Sequence, residues 1–249
     1  MVWWEWLAIL GAGVAAGGIN ALVGSGTLVT FSTLVALGVP PLTANVTNTV
    51  GLVSGSVASS VGYRRELSTQ RPRMARFIPA SILGGLSGAF LLLVLPESAF
   101  DAIVPILVGL GIALVALQPV IARRLAVPHD THALGGPAAW IGVYLVGIYG
   151  GYFGAAQGVL LIAILGALVD SHLQRVNALK NVLAAVVNAI AAVVFILLAP
   201  VDWGIAIVLI AGSTVGGYTG AHYGRRLSPA VLRGFIIVVG LVALGVLLR

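Results

Sequence analysis

Two nine-residue stretches of this chain are variants of one sequence. They are Ser81-Ile-Leu-Gly-Gly-Leu-Ser-Gly-Ala89 and Ser213-Thr-Val-Gly-Gly-Tyr-Thr-Gly-Ala221, which are identical at five of nine positions. The second stretch lies 132 residues after the first, and the same offset pairs Asn45 with Asn177 and Gly26 with Gly158 without any gap. A duplication of this length in an apolar chain is typical of transporters built from two related halves.

The composition of the chain predicts an integral membrane protein. Of its 249 residues, 59% are hydrophobic and 8% are charged, with a mean hydropathy of +1.10, whereas soluble domains carry roughly 25% charged residues. The net charge of +6 does not indicate a nucleic-acid partner, because the basic residues lie in short loops between apolar segments. The chain has no cysteine, so disulfides and thiolate metal sites are excluded, and we expect no metal site or cofactor.

Ten apolar segments follow one another along the chain. They run roughly over 3–22, 27–38, 42–62, 75–95, 100–122, 137–155, 159–169, 176–199, 203–223 and 228–248. Eight approach the ~20 residues that a helix needs to cross a bilayer. The second and seventh are too short, because a dozen residues extend only about 18 Å as a helix. They occupy matching places in the two halves, and paired short segments of this kind predict the binding site of a transporter.

The distribution of charge predicts the orientation of the halves. The arginine-rich loop 64–76 and the loop around Arg225 are expected on the cytoplasmic side, and the acidic turns 96–101 and near Asp202 on the external side. The offset pairs each basic loop with an acidic turn, so the repeat is predicted to be inverted. The predicted organisation is a first inverted repeat over 1–122, a cytoplasmic linker over 123–136 and a second inverted repeat over 137–249.

The predicted fold class is an all-α polytopic membrane protein with two inverted repeats of five helical segments each, the second segment of each repeat being short or broken. Inversion requires an odd number of crossings per half, which five segments satisfy, with both termini external. Three crossings plus a re-entrant hairpin formed by the first two segments of each half satisfy it as well. Five crossings are preferred because segment 3–22 is long enough to span.

Many of the 33 glycines are spaced for close contact between helices. Four pairs lie four residues apart, which lets helix backbones approach closely in a membrane. These pairs are Gly51/Gly55, Gly84/Gly88, Gly147/Gly151 and Gly216/Gly220. For them we predict a packing role rather than contact with a substrate.

The openings of the two short segments form the first part of the candidate site. Free backbone N–H groups and the positive end of a helix could face an anion there, and the first opening adds two hydroxyl groups. The alternative is a simple break in the helix with no ligand. The residues concerned are Gly24, Ser25, Gly26 and Thr27 in the first half and Gln157 and Gly158 in the second.

Polar residues that follow each short segment form the second part. Amide groups within a span are costly unless they bind backbone, each other, water or a substrate. The substrate-binding candidates are Asn45, Asn48 and Thr49 in the first half and Asn177, Lys180 and Asn181 in the second. The amides could instead only hold the broken backbone in place, and Lys180, the one lysine of the chain, could extend along its helix to the membrane surface.

These residues also carry a resemblance to a known family. The stretches Gly17-Gly18-Ile-Asn-Ala-Leu-Val-Gly24-Ser-Gly26 and Ala44-Asn45-Val-Thr-Asn48, and in the second half Gly150-Gly-Tyr-Phe-Gly154-Ala-Ala-Gln-Gly158 and Arg175-Val-Asn177-Ala-Leu-Lys180-Asn181, resemble the sulfite exporter TauE/SafE family. The order of these motifs is preserved along the whole chain. The resemblance implies a multi-pass permease of the bacterial inner membrane that moves sulfite, organosulfonates or other small anions, often outward. Ser25, Ala156 and Gln157 stand where the family is commonly richer in glycine.

The sequence therefore predicts a secondary transporter whose partners are a small anion and the lipid bilayer; a homodimer is left open. No Walker A sequence is present, so ATP is not expected to drive transport directly. An enzyme is not expected, because the acidic residues fall at segment ends or in loops rather than in a cluster within the spans. The alternative function is an anion channel or a membrane scaffold without alternating access.

Overall fold

The computed structural model describes residues 2–125, 134–223 and 228–248. Regular secondary structure in these ranges is entirely helical. The helices are α1 (Trp3–Leu22), α2 (Gly26–Ala36), α3 (Pro41–Gly62), α4 (Arg64–Leu67), α5 (Arg71–Val94), α6 (Glu97–Leu125), α7 (Pro137–Tyr152), α8 (Gln157–Leu168), α9 (Leu173–Leu198), α10 (Trp203–Tyr223) and α11 (Pro229–Leu247). Most of the predicted linker, together with Arg225 and Arg226, lies outside the described residues.

The ten predicted segments all correspond to helices, and their ends agree to within four residues. The largest difference is at α5, which begins at Arg71 rather than at residue 75. Pro72 occupies the first turn of α5, where its missing N–H has no helical partner to lose, so the helix extends back into the arginine-rich loop. The four-residue helix α4 within that loop was not predicted.

Six of the described helices are long and apolar enough to cross a membrane: α1, α5, α6, α9, α10 and α11. Of the eight segments expected to approach spanning length, seven form helices of 19 residues or more, and α7 is shorter. α7 contains 16 residues because its backbone leaves the helix at Phe153. α3 contains 22 residues, but the asparagine, threonine and serine side chains along it lower its hydropathy. Both departures affect helices that border the candidate site.

The helix starts repeat with the same offset as the sequence. α3, α5 and α6 begin at residues 41, 71 and 97, and α9, α10 and α11 begin 132 residues later, at 173, 203 and 229. The two short helices begin at residues 26 and 157, one residue less than the offset apart. The duplication found in the sequence is thus a duplication of helices.

Each half contributes its first helix to the other half, because α1 packs along α10 and α7 packs along α5. Glycines line both contacts. A Cβ on Gly88 or Gly216 would overlap the carbonyl oxygen of Ile148 or Val14, respectively. The other members of the four predicted pairs also lie against backbone or side-chain atoms of a neighbouring helix, which confirms their packing role.

The register of these contacts gives the relative direction of the helices. Along α1 and α10, Gly13 lies by Gly212 and Gly18 by Gly220, so the two helices run in the same direction. α3 also runs with α10, since its Gly51 lies by Leu209 and its Gly62 by Ala221.

A second group of helices, α5, α7 and α9, runs in the opposite direction. Gly84 and Gly88 of α5 lie by Tyr144 and Ile148 of α7, respectively, so these two helices are parallel. α9 is antiparallel to α3: Ser56 in α3 contacts Asn188, whereas Tyr63, just after α3, clusters with Ala178. Ser56 and Asn188 are themselves 132 residues apart.

Candidate functional site

Two breaks in the helical backbone are buried inside the protein. α1 ends at Leu22 and α2 begins at Gly26, and the chain turns between them at Gly24, whose φ is +83°. The second break separates α7 from α8 and contains two left-handed residues, Gly154 at φ +76° and Ala156 at φ +57°. Ala156 is the residue that the offset pairs with Gly24. A residue with a Cβ loses about 1–2 kcal/mol in this conformation, so the second break is strained where the first is not.

The two breaks touch each other. The N–H of Gly158 donates to the carbonyl of Gly24 over 2.9 Å. A Cβ on either glycine would overlap the Cα of the other, so the contact requires that neither residue has a side chain. The predicted openings are therefore brought together, and one of their N–H groups serves to join the two halves.

Lys180 on α9 is directed to the end of α1. Its Nζ donates to the carbonyl of Asn20 at 2.7 Å and reaches that of Ala21 at 3.5 Å, and Asn181 Nδ2 donates to Ala21 at 3.2 Å. The last carbonyls of a helix form its negative end, which a cation stabilises. Lys180 is 1% exposed, so it points into the protein rather than along its helix to the membrane surface.

The matching amides of the first half also hold backbone and neighbouring helices. Asn45 Nδ2 donates to the carbonyl of Tyr152, the last residue of α7, at 2.9 Å. Asn48 Oδ1 accepts a short hydrogen bond from Thr30 Oγ1 in α2, and Thr49 Oγ1 donates to the Asn45 carbonyl at 2.9 Å. Each half thus supplies a side chain that binds the end of the other half's first helix: an amide in one case and an ammonium in the other.

A residue that sequence reasoning missed completes the first opening. Asn20 Oδ1 accepts from the N–H of Gly26 at 2.7 Å, so the first N–H of α2 has a partner within the protein. Asn20 also supplies the carbonyl that binds Lys180. The residue 132 positions after Asn20 is Tyr152. Because tyrosine has no amide, the comparison of the two halves did not identify Asn20.

A small cavity of about 20 Å³ lies beside the two breaks. Six of the twelve predicted residues line it, together with five that were not predicted. The lining residues are Gly24, Thr27, Gln157, Gly158, Lys180 and Asn181, with Asn20, Ser56, Gly154, Ala184 and Asn188. Ser56 and Asn188 could have been found, because they are polar residues 132 positions apart. Ser25, Gly26, Asn45, Asn48, Thr49 and Asn177 lie outside the lining.

Several buried polar atoms of the candidate residues have no hydrogen-bond partner among the described residues. They are Ser25 Oγ, Asn45 Oδ1, Gln157 Nε2 and Asn177 Oδ1. Buried polar groups normally have partners, so each such atom is costly and indicates a site for water or a ligand. Among these, Gln157 Nε2 is a donor on a side chain that lines the same cavity as Lys180.

An ion-pair network joins the start of α5 to the turn between α8 and α9. Arg73 makes a short ion pair with Asp170 and donates to the carbonyl of Val169 at 3.1 Å. Asp170 also accepts from the N–H of His172 at 2.8 Å. Burial alone would raise the pKa of Asp170, but the hydrogen bonds from His172 and Arg73 and the charge of Arg73 outweigh it, and the net shift is downward. The sequence analysis did not predict this network, because its members are 97 residues apart.

Comparison with known proteins places the chain in a family. The model of the sulfite exporter TauE/SafE family matches residues 9–247, which is nearly the whole sequence. The chain belongs to the sulfite exporter TauE/SafE family. The resemblance drawn from the glycine and asparagine motifs is confirmed.

Curated relatives of this TauE/SafE family chain are named as membrane transporters. The "Probable membrane transporter protein YfcA" of Escherichia coli K12 is 27% identical over 227 residues, covering 91% of this chain and 83% of the relative. The "Probable membrane transporter protein ORF9" of a Sinorhizobium species is 25% identical over 92% of this chain and 87% of its own length. A "Probable membrane transporter protein" of Haemophilus influenzae is 25% identical over 91% and 88%. With six apolar helices of spanning length, the chain is a multi-pass membrane transporter.

Proposed function

We propose that this protein is a secondary transporter, operating as an exporter, of small anions such as sulfite, sulfonates or carboxylates in the bacterial inner membrane. The anion binds between the two helix breaks. The observation that carries the proposal is the buried amine nitrogen of Lys180 beside the two breaks. The family to which the chain belongs favours a sulfur-containing anion.

The lining of the cavity has the chemistry that an anion requires. Lys180 supplies a positive charge, and Gln157 Nε2 supplies an N–H donor without a partner among the described residues. Thr27 adds a hydroxyl group. Among the described residues that line the cavity, none carries a carboxylate that would repel an anion or neutralise Lys180. Hydrogen bonds to a charged ligand are the stronger kind, so these few groups suffice to hold a small anion.

The size of the cavity favours a transporter over a channel. A volume of about 20 Å³ holds roughly one water molecule, which is less than a sulfite or sulfonate group needs. A bound anion therefore requires the lining residues to move apart, and we infer that this movement exposes the site to one side of the membrane at a time. A channel would need a continuous path in a single conformation.

Counterflow in proteoliposomes tests the proposal. Vesicles containing purified protein are loaded with unlabelled anion and diluted into labelled isethionate, methanesulfonate, sulfate or sulfite, with choline as the cationic control. We expect saturable, transient accumulation of at least one anion and none of choline. Flux that neither saturates nor shows counterflow would indicate the channel, and no flux above protein-free vesicles would overturn both functions.

We further infer that the two halves are inverted with respect to the membrane, with both termini external. The support is directional: α1 and α3 run with α10, whereas their offset partners α7 and α9 run with α5. Helices related by the duplication therefore run in opposite directions. The arginine-rich loop 64–76 then defines the cytoplasmic side.

Labelling of single cysteines tests this orientation, because the native chain has none to remove. Ser98→Cys lies in the first turn of α6, and Arg71→Cys lies at the start of α5. We expect an impermeant thiol reagent added outside intact cells to label Ser98→Cys and to reach Arg71→Cys only after permeabilisation. Labelling of both from the same side would overturn the inverted arrangement.

A further inference from the structure

Among the described residues, no carboxylate lies beside the buried amine of Lys180, so a positive charge there has no negative partner. The two acceptors of the amine are the carbonyls of Asn20 and Ala21, at 2.7 and 3.5 Å. The described acidic residues all lie at helix ends or in loops, away from the cavity lining: Glu5, Glu66, Glu97, Asp101, Asp170 and Asp202. The partial negative charge at the end of α1 offsets only part of the cost of a full buried charge.

The helices packed against α9 offer no other compensation. Two of them, α3 and α8, carry no ionisable side chain, and on α1 the only one is Glu5, in the first turn at the opposite end from Asn20. The remaining groups are Arg64, Arg65 and Glu66 on α4, Arg71, Arg73 and Arg76 on α5, and Tyr144, Tyr149 and Tyr152 on α7. None of these lines the cavity. Tyr149 donates its hydroxyl proton to the carbonyl of Ala155 at 2.6 Å.

Two events can remove the cost of this buried charge. Lys180 can lose its proton, or an anion can bind beside it. A bound anion therefore raises the affinity of the amine for a proton, and a bound proton raises the affinity of the cavity for an anion by the same factor, because linkage is reciprocal. Proton and anion then occupy the site together and leave it together.

We propose that Lys180 makes this protein a proton-coupled anion transporter. The neutral amine of Lys180 takes up one proton as one anion binds; the ion pair is carried to the other side, where the anion and the proton are released and the neutral amine returns. A monoanion is thus moved with one proton and without net charge. This inference rests on the proposed function and specifies its coupling. Export then requires an outward gradient of the anion that exceeds the inward gradient of protons.

The test measures protons and anions in the same proteoliposomes. The probes are isethionate and methanesulfonate, which remain monoanions at neutral pH, so that any proton moved must be carried by the protein. A pH-sensitive dye trapped inside the vesicles reports proton entry, and valinomycin with potassium sets the membrane potential. We expect internal acidification that matches anion uptake one to one, and an uptake rate that changes less than twofold with potential.

Variants of Lys180 separate coupling from binding. Lys180→Arg keeps a positive charge, but its guanidinium does not release its proton; it should retain counterflow exchange while net uptake and the dye signal fall at least tenfold. Lys180→Gln should lose both exchange and the dye signal. Arg175→Gln removes a positive charge from the same helix outside the cavity. This variant should keep the wild-type ratio of protons to anions taken up.

The outcomes distinguish the two proposals. Anion uptake that brings no acidification, or a Lys180→Arg variant that still acidifies the vesicles, would overturn the coupling and leave the proposed function intact. No counterflow of any anion in the panel would overturn the proposed function and the coupling with it.

Discussion

The two halves of the molecule place matching helices at matching positions but differ in the residues at their breaks. In the first half, Gly24 makes the turn and Asn48 is the polar residue on α3. The matching residues of the second half, 132 positions later, are Ala156 in the turn and Lys180 on α9. Both breaks keep the left-handed backbone, and both helix ends are bound by a side chain of the other half. The backbone geometry of the two breaks is therefore similar, whereas the side chains differ: Lys180 in the second half carries an amine and Asn48 in the first half carries a neutral amide.

This difference teaches that one site is shared by the halves rather than duplicated. A second lysine at position 48 would add a second buried positive charge, because Asn48 on α3 is only 1% exposed. A single charge suits a single small anion, whereas the conformational requirement of the breaks applies to both halves. The three predictions that follow address this contrast between shared backbone and unshared side chains.

The largest effect is expected from Gly24→Ala. The new Cβ would overlap the Cα of Gly158, and φ at residue 24 is +83°, so both the contact and the backbone are disturbed. We expect a loss of at least about 3 kcal/mol, measured as a large drop in melting temperature in detergent or as failure to accumulate in the membrane.

The control for Gly24→Ala is Ala156→Gly at the matching position. It relieves the left-handed strain while it removes one buried methyl group and adds flexibility to the unfolded chain, so we expect a change within about 1 kcal/mol. Equal destabilisation by the two variants would show that the breaks are not comparable elements.

An intermediate effect is expected from Asp170→Asn, which removes a charged link that the first half lacks, since Gly38 occupies the matching position. Charged hydrogen bonds contribute roughly 1.5–3 kcal/mol, and we expect a loss of stability in that range at neutral pH. Because folding lowers the pKa of Asp170, its contribution is complete above the unfolded pKa of about 4 and is lost as pH falls through the lower folded value.

Thermal unfolding as a function of pH tests this prediction. The stability difference between the wild type and Asp170→Asn should be constant near neutral pH and should shrink below about pH 4. Arg73→Gln should reproduce the loss at neutral pH. A difference that grows under acidic conditions would contradict the assigned role of the ion pair.

The smallest effect distinguishes the paired residues Asn45 and Asn177. Asn45→Ala leaves the carbonyl of Tyr152 without its donor and should cost about 1–2 kcal/mol. Asn177 forms no side-chain hydrogen bond within the described residues and has an unpartnered oxygen, so Asn177→Ala should cost less than about 0.5 kcal/mol.

Urea or thermal unfolding of both variants, paired with anion counterflow, separates the two roles. Reduced counterflow with unchanged stability in Asn177→Ala would assign Asn177 to the substrate path. Equal loss of stability in both would show that the halves use their asparagines in the same way.

Much of the fold was accessible from the sequence because it depends on local patterns. Hydropathy predicted the positions of ten helices, and the short segments with their glycines predicted the two breaks. Hydropathy overestimated the length of α7, which ends at Tyr152, and did not register how far the polar residues of α3 lower the hydropathy of that helix. The repeat itself predicted which helices would match.

The partners of the site residues depended on tertiary structure. Lys180 and Asn20 are 160 residues apart, and no spacing rule relates a side chain on one helix to a carbonyl at the end of another. For the same reason the sequence suggested free N–H groups at the openings. In the structure the N–H of Gly26 donates to Asn20 Oδ1, and the N–H of Gly158 donates to the carbonyl of Gly24. The left-handed backbone at Ala156 could not be predicted from the sequence either, because alanine does not favour this conformation.

By itself, the sequence determined that this chain belongs in a membrane, that its helices recur at a spacing of 132 residues and that one lysine lies among its polar residues. These properties follow from composition and periodicity, which act over a few residues at a time. Tertiary structure alone decided that the two breaks meet, that Lys180 faces the end of α1 and that Arg73 binds Asp170. Contacts between distant segments form only when helices from both halves pack together, and they determine where the single buried charge lies.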